Sequence, residues 1–521
     1  MLMSKIIHNL EVPIDEMLED KLAYLAPSYG EYRILRQSVD ARRRHSPHFV
    51  YSVEVSDPGE SLDRPQYPIE KITFSGDETP VIIGTGPAGL FAALRLVERG
   101  IRCHLFERGS PAEERIKGIN RFWRYGELDP RNNVCYGEGG AGLYSDGKLI
   151  TRIKSPEIPY VMHRLVQFGA PEEIQWLSNP HVGSDRIRRV IPKMREYLLN
   201  HGCEIHFNTK VEKILCNNNQ VTGVETEYGT QFQSQHVILA TGHSAEDMLM
   251  HLQEIGVFLE GKSFAMGLRI EHPQTAINRI QYRSFAEHPK LGAANYKLAH
   301  HDAKTQVGVY SFCMCPGGYV LSSGTDPAGI VCNGMSNYKR NSPYANAAIV
   351  VSIDHTKNFG DDLLAGLRFR RELEQKALGS VQKSGGHKEL PAQRVVDFLS
   401  GQIGEVLPGS SPSGAKAARL DQLLPKWMTE KIQDGLQVFD QQMKGFISEK
   451  AQLYGVESRT SCPLRVTRDP ATLQSVSHKG LYPCGEGAGY AGGITSAACD
   501  GIAIAEKITA VLANQTISAQ K

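Results

Sequence analysis

No stretch of this chain approaches the about 20 apolar residues of a membrane span, and its N-terminus lacks the apolar core of a secretory signal. Charge of one sign is also missing: 58 Lys and Arg stand against 57 Asp and Glu. Long-range electrostatics therefore recruit neither nucleic acid nor an anionic membrane surface. Ten cysteines are scattered over 521 residues without a dense framework, which predicts a reduced, cytoplasmic protein. The Cys-x-x-Cys and Cys-x-x-x-x-Cys pairs of disulfide reductases are absent, which argues against that class. There is no internal repeat. A glycine fingerprint with a correctly spaced acidic partner occurs once, so a second, permanently filled dinucleotide domain is not expected.

That one fingerprint is informative. The apolar run Pro80-Val81-Ile82-Ile83 reads as a buried strand and leads into Gly84-Thr85-Gly86-Pro87-Ala88-Gly89. Gly84 permits a tight turn, Gly86 lets the backbone approach a pyrophosphate, and Gly89 lets the next helix lie close to the strand. Residues 90–99 are helical in character and Gly100 is a stop signal. A second strand, Arg102 to Phe106, delivers Glu107, 18 residues after Gly89. A carboxylate there can accept hydrogen bonds from ribose hydroxyls while the helix N-terminus faces phosphates.

Two later segments add to it. His236 to Gly242 reads as a strand ending in Ala240-Thr241-Gly242, and Gly480 to Gly487 as a strand ending in Gly485-Glu486, followed by a small-residue helix. With the first fingerprint, they resemble the two-dinucleotide-binding-domain flavoproteins. The resemblance implies FAD. Its ADP half would lie on the first fingerprint with Glu107 and Arg108, Val211 would sit beside the adenine, and Ala240, Thr241 and Gly242 would be further contacts. Glu486 would take a ribityl hydroxyl. Gly492, Gly493 and Ile494 would open a helix whose dipole stabilises negative charge on the reduced ring.

Residues 135–149 are the densest unusual segment, with five glycines between 137 and 147. So many glycines suit neither helix nor strand, but successive amides in such a loop can form an anion-binding nest. Gly140, Gly142 and Ser145 are candidate FAD contacts, and Lys148 either supplies positive charge there or lies in solvent. The run Gly-Glu-Gly-Gly-Ala-Gly with Ser-Asp-Gly-Lys-Leu at 137–149 is similar to a group of bacterial and plastid proteins known as uncharacterised FAD-dependent dehydrogenases. Gly267–His272, Phe312–Gly318 and Gly485–Ile494 match the same group. It implies FAD binding and a redox role, and brings no substrate.

The expected fold is α/β: a Rossmann-like FAD-binding domain of three-layer ββα architecture, an inserted α+β substrate domain and a small N-terminal α+β domain. Residues 1–75 form the last, with strands at Ile6–Val12, Tyr32–Val39 and Phe49–Val55 and a helix at Asp15–Leu25. The FAD domain is discontinuous, at 76–155, 200–245 and 465–521, with a helical connection at 156–199. Within 246–464, strands are predicted at Lys262–Glu271, Gln306–Cys313, Gly318–Ser322 and Ile349–Ile353. Helices are predicted at Leu363–Leu378 and Leu424–Phe446, and a surface loop or lid at Gly401–Lys416.

Three groups of residues carry competing readings. Cys313 and Cys315 stand two apart in a strand, on one face, as structural thiols, a redox-active thiol near the flavin, or metal ligands lacking the partners to fill a site. Arg269 and Glu271 share a face and could pair; His272, opposite, is either a buried structural histidine or an acid–base group. Arg459, Ser461, Cys462 and Arg465 are placed to line the substrate side.

The reading that follows is an FAD-dependent oxidoreductase of a small organic substrate. NADPH or NADH would bind transiently at the flavin face, with Lys148, His272 and Cys315 as catalytic candidates. An RNA-modifying reductase is the alternative suggested by Arg42-Arg43-Arg44, although residues 1–75 hold 9 Lys and Arg against 12 Asp and Glu. A non-catalytic flavoprotein that senses or binds a partner is the third.

Overall fold

The computed structural model describes residues 4–42, 46–72, 74, 76 and 78–519, with side chains to residue 514. Arg43 and Arg44 of the basic cluster lie outside the described residues. The architecture is mixed α/β.

Five short strands form a parallel sheet in the order Leu481–Pro483, Val237–Leu239, Val81–Ile83, Cys103–Phe106, Cys203–His206. The inner strands, such as Val81-Ile82-Ile83, are buried on both faces, so they read as continuous apolar runs without alternation. One face is covered by Pro87–Glu98, Ile158–Gln167, Ser184–Asn200 and the long helix Ile494–Ala519. Pro87–Glu98 and Ile494–Ala519 lie so close that a Cβ on Gly501 would come within 2.1 Å of the Ala88 carbonyl oxygen. Against the other face packs an antiparallel sheet, Val211–Asn217, Gln220–Thr226 and Gln231–Gln233. The chain then leaves that hairpin-like unit for the parallel strand Val237–Leu239.

A larger sheet of seven strands has its own core. Its order is Ala299–Asp302, Val307–Cys315, Tyr344–Ile353, Phe264–Pro273, Gln452–Glu457, Leu390–Arg394, Ala415–Ala417, and all pairs but the last are antiparallel. The helices Ala365–Lys383 and Lys426–Gln442 pack on it. Strands Leu390–Arg394 and Gln452–Glu457 were not anticipated.

Near the N-terminus, Ser4–Pro13, His48–Ser56 and Tyr32–Asp40 form an antiparallel sheet in that order. The helix Leu18–Leu25 closes it over a small core of Leu10, Val12, Leu18, Leu22, Val53 and Val55. That helix starts at Leu18, three residues later than Asp15, because Pro13 to Met17 turn first, with the Glu16 amide bonded to the Pro13 carbonyl.

Residues 401–416 are not a free lid. Val320 donates its amide to the Ser410 hydroxyl (2.8 Å) and Leu407 its amide to Gln452 (2.7 Å), while the Ser410 hydroxyl donates to Glu271. Among the described residues no helix is long and apolar enough to cross a membrane.

Candidate active site

Parallel strands end on one edge of their sheet, and ligands of such sheets bind beyond that edge. Here four strands end together, and the residues that follow them, Gly84, Glu107, Ala240 and Cys484, all line one cavity of about 350 Å³. From the fingerprint it takes Gly84, Gly86, Pro87 and Ala88, and beside them Glu107, Arg108 and Val211. The Gly-rich loop adds Gly140, Gly142, Ser145 and Lys148. Ala240, Thr241 and Gly242 follow, then Glu486, Gly492, Gly493 and Ile494. Gly89 and Gly485 stand behind the lining. A Cβ on Gly89 would fall 1.9 Å from the Gly84 carbonyl oxygen, and one on Gly485 2.9 Å from the Ala88 methyl.

The cavity fits a flat, phosphate-bearing ligand. A Cβ on Gly86, Gly242, Gly492 or Gly493 would meet no protein atom within 4 Å, so each leaves room over bare backbone on the cavity side. Gly86 and Gly493 also stand at the N-terminal ends of helices, where unpaired amides favour an anion.

Glu107 is more constrained than a free ribose acceptor. Its buried carboxylate already takes the amide (3.1 Å) and hydroxyl (2.7 Å) of Thr85 and the amides of Gly109 and Gly137 (2.9 Å each). It therefore ties the fingerprint to the Gly-rich loop as well as facing the cavity. Arg108 pairs with Asp247 at 3.0 Å and lies over the Tyr136 ring. The loop hangs on a residue that the sequence did not single out. Arg115, fully buried, donates to the carbonyls of Asn133, Val134, Gly137, Glu138 and Gly140. No local pattern announces it, because its five acceptors are backbone oxygens 18 to 25 residues away.

Ser145 accepts from the Gly147 amide and donates to the Gly142 carbonyl (2.8 Å). Lys148 is partly buried, with its ammonium on the Met314 carbonyl and 3.1 Å from Asp146. Burial works against its charge, but Asp146 and the facing cysteines outweigh it and hold the group protonated above its usual range. The Glu486 carboxylate has no hydrogen-bond partner among the described residues, and burial pushes it up to about 7 against the pull of Lys262.

The seven-stranded sheet supplies the remaining lining: Phe312, Cys313, Asn333, Glu457, Arg459 and Thr460. Arg269 does not pair with Glu271. It forms a two-pronged pair with Glu457 (2.8 and 2.9 Å) and also reaches Asn346 and Asn333. Glu271 instead takes the hydroxyls of Ser410 and Tyr454. Sharing a strand face did not bring the two together, because each met a better-placed partner from another strand. Arg459 lines the cavity, held by Glu374 at 2.9 Å, whereas Ser461, Cys462 and Arg465 do not line it.

His272 is away from the cavity. Its Nε2 meets the Phe446 carbonyl at 2.8 Å, and burial lowers its pKa to about 4, so it is a neutral core residue near neutral pH. Cys315 is also off the lining, while Cys313 is on it. The strand bulges between Phe312 and Cys315, which breaks the alternation expected to put both thiols on one face. Neither belongs to a cluster of three metal-ligand groups among the described residues. His104, Glu204 and His206 do, apart from this cavity.

Three family models match parts of the chain: FAD-dependent protein, C-terminal domain-like, at 263–460; FAD dependent oxidoreductase at 174–292; and FAD binding domain at 78–120. Two solved structures are among those to which the chain shows some similarity. That of CtdE in complex with FAD is 12% identical, covers 84% of this chain and 85% of its own, and has a TM-score of 0.32. The halogenase PltM is 10% identical over 85% of this chain and 71% of its own, at 0.40. An uncharacterised protein of Clostridium beijerinckii is 38% identical across 96% of this chain and 98% of its own length. The chain therefore belongs to the family of that clostridial protein, and the segments it matches elsewhere are those of FAD-dependent proteins.

Proposed function

We propose that this protein is an FAD-dependent oxidoreductase of a small organic substrate, with NADH or NADPH as a transient reductant at the same cavity. The observation that carries the reading is the cavity edge itself: four parallel strand ends, two helix N-termini and four glycines whose missing side chains leave room for a ligand. In this reading the sheet, its helical face and the antiparallel sheet opposite form a three-layer ββα domain at 76–155, 200–245 and 465–521. Residues 156–199 are its helical connection, 246–464 the substrate domain, and 1–75 a separate small domain.

Gly84 to Gly89, Glu107, Arg108 and Val211 would hold the ADP half, and the Gly-rich loop with Ser145 and Lys148 the middle. Glu486 and the turn Gly492–Ile494 would hold the ribityl and ring portions. When bound, FAD supplies two-electron redox chemistry. The chain's part is to bind, orient and tune. The helix N-terminus at Gly493 favours negative charge beside it. Lys148 adds a fixed cation, and Glu486, pushed up to about 7, can hold or release a proton near neutral pH. Arg459 and Asn333 offer donors toward the substrate side.

The purified protein should be yellow and release FAD, not FMN, on denaturation, as read by absorbance and mass spectrometry. A colourless protein that stays colourless after incubation with FAD would overturn the assignment. Anaerobic mixing with NADH and NADPH, followed by a screen of acceptors, then tests turnover. A flavin that resists both reductants and all acceptors would favour a non-catalytic role.

A further inference from the structure

The outermost strand of the parallel sheet, Cys203–His206, pairs on one side only, with Cys103–Phe106. Alternation divides the two strands between the faces of the sheet. Cys103, Leu105, Cys203 and Ile205 belong to the helical side. His104, Phe106, Glu204 and His206 turn the other way, toward the antiparallel sheet, and Phe232 of that sheet packs on His104, Phe106 and His206. The register sets His104 opposite Glu204, and His206 follows two residues later.

Two imidazoles and a carboxylate therefore converge from two strands. His104 Nδ1 lies 3.2 Å from His206 Nε2 and 3.4 Å from a Glu204 carboxylate oxygen, and the three ligand atoms lie within 4.8 Å of one another. Two ligands of a tetrahedral zinc ion with bonds of about 2.0–2.1 Å stand about 3.3 Å apart, so both short distances match a tetrahedral edge. Glu204, 69% exposed, has the freedom to close the third edge. A single proton on His104 Nδ1 points at His206 or at Glu204, not at both, whereas a cation between them satisfies all three atoms.

The rings are held in place before any ion arrives. Phe106 stacks on His206 with centroids 4.5 Å apart, and Phe232 meets each imidazole at 5.1 Å at a steep angle. Burial lowers the pKa of both imidazoles against the pull of Glu204, which leaves their lone pairs available near neutral pH. The exposed carboxylate opens the site to water on one side.

We propose that His104, Glu204 and His206 form a site for one divalent transition-metal ion of the zinc, cobalt or nickel type, completed by water, that clips the edge strand to its neighbour. Two nitrogen ligands and one oxygen suit such ions and disfavour Mg²⁺ and Ca²⁺, which prefer oxygen throughout. None of the three residues lines the large cavity, so the site does not depend on the FAD reading. In the unfolded chain His104 and His206 are 102 residues apart, so an ion that needs both binds the folded state and stabilises it.

The test uses untagged full-length protein freed of metal by a chelator, with Co²⁺ as the spectroscopic probe and Zn²⁺ as its competitor. One equivalent of Co²⁺ should bind, develop visible absorption and be displaced by Zn²⁺, and Zn²⁺ should raise the denaturant midpoint. His104→Phe keeps a ring in the aromatic cluster but removes the shared nitrogen, and should abolish both effects. Glu204→Ala, at an exposed position, should weaken Co²⁺ binding by at least about 10-fold, since even an outer-shell partner is worth that much. Cys216→Ser removes an exposed thiol and should change nothing. Failure of wild type to bind Co²⁺ or Zn²⁺ overturns the proposal. So does binding that survives both His104→Phe and Glu204→Ala, or that is lost in Cys216→Ser. Should His104→Phe not fold, Glu204→Ala decides alone, and unchanged affinity in it overturns the site.

Discussion

The two sides of the cavity are built by opposite means. On the parallel-sheet side the chain deletes side chains: Gly86, Gly242, Gly492 and Gly493 leave bare backbone and open space. On the seven-stranded side it fills the boundary with paired charges, Arg269 with Glu457 and Arg459 with Glu374, each pair almost fully buried. A backbone surface binds through amides and tolerates no added atoms. A charged surface holds its shape only while every charge has its partner. Substitutions on the first side should therefore be felt by the ligand, and on the second by the fold.

Gly493→Val should break the first side with the largest effect. A Cβ there would meet no protein atom within 4 Å, so the fold should lose little beyond the capping preference of glycine over valine, about 1 kcal/mol. It would instead enter the ligand space, and FAD should be lost altogether. Thr509→Val, at the far end of the same helix, deletes one hydroxyl bond to the Ala505 carbonyl and should leave FAD content unchanged. Equal FAD content in Gly493→Val and wild type would mean that this helix does not abut the flavin.

Glu457→Gln probes the other side. It leaves the fully buried Arg269 without its counter-charge and should lower the free energy of unfolding by about 3–5 kcal/mol. A denaturant midpoint that does not move would show that water or Asn333 and Asn346 can replace the carboxylate.

The same contrast explains what could be read in advance. The first fingerprint, the 135–149 loop and the Gly485–Ile494 turn are contiguous, and in each a backbone requirement selects glycine at fixed spacing. The sequence carries that requirement openly. Nothing contiguous encodes the pairing of Arg269 with Glu457, 188 residues apart, or of Arg115 with five carbonyl oxygens. Period-two reasoning put Arg269 beside Glu271 and put both cysteines on one face. It failed where the neighbouring strand Gln452–Glu457 supplied Glu457 to Arg269 and Tyr454 to Glu271, and where the strand bulged at Cys313. The N-terminal strands and helix were legible as short segments around one small core, although two of the strands bulge, between Ile7 and Leu10 and between Ile34 and Arg36.

Glu107 belongs to both descriptions, a charge embedded in the glycine side. Glu107→Ala should weaken FAD binding by the roughly 1.5–3 kcal/mol of a hydrogen bond to a charged acceptor, roughly 10- to 150-fold in dissociation constant. It should also destabilise the FAD-free protein, because Thr85, Gly109 and Gly137 lose their shared acceptor. An affinity loss with no change in FAD-free stability would mean that the carboxylate turns from these amides to the ribose.

The smallest effect concerns pH. Burial pushes Glu486 up to about 7, well above the usual carboxylate value near 4.3, and does the same to Glu138. The folded protein therefore keeps these protons up to about pH 7, whereas the unfolded chain releases them near pH 4.3. Between those values the native state binds more protons, so the stability these groups contribute is complete below about pH 4 and is lost as pH rises through 7. Glu486→Gln cannot ionise and should flatten the fall in unfolding free energy between pH 5 and pH 8, while Glu138 keeps its own share. Denaturant unfolding of wild type and variant at both pH values reads the difference. Parallel slopes would show that Glu486 is solvated enough to ionise freely, and that the glycine side of the cavity is wetter than its lining suggests.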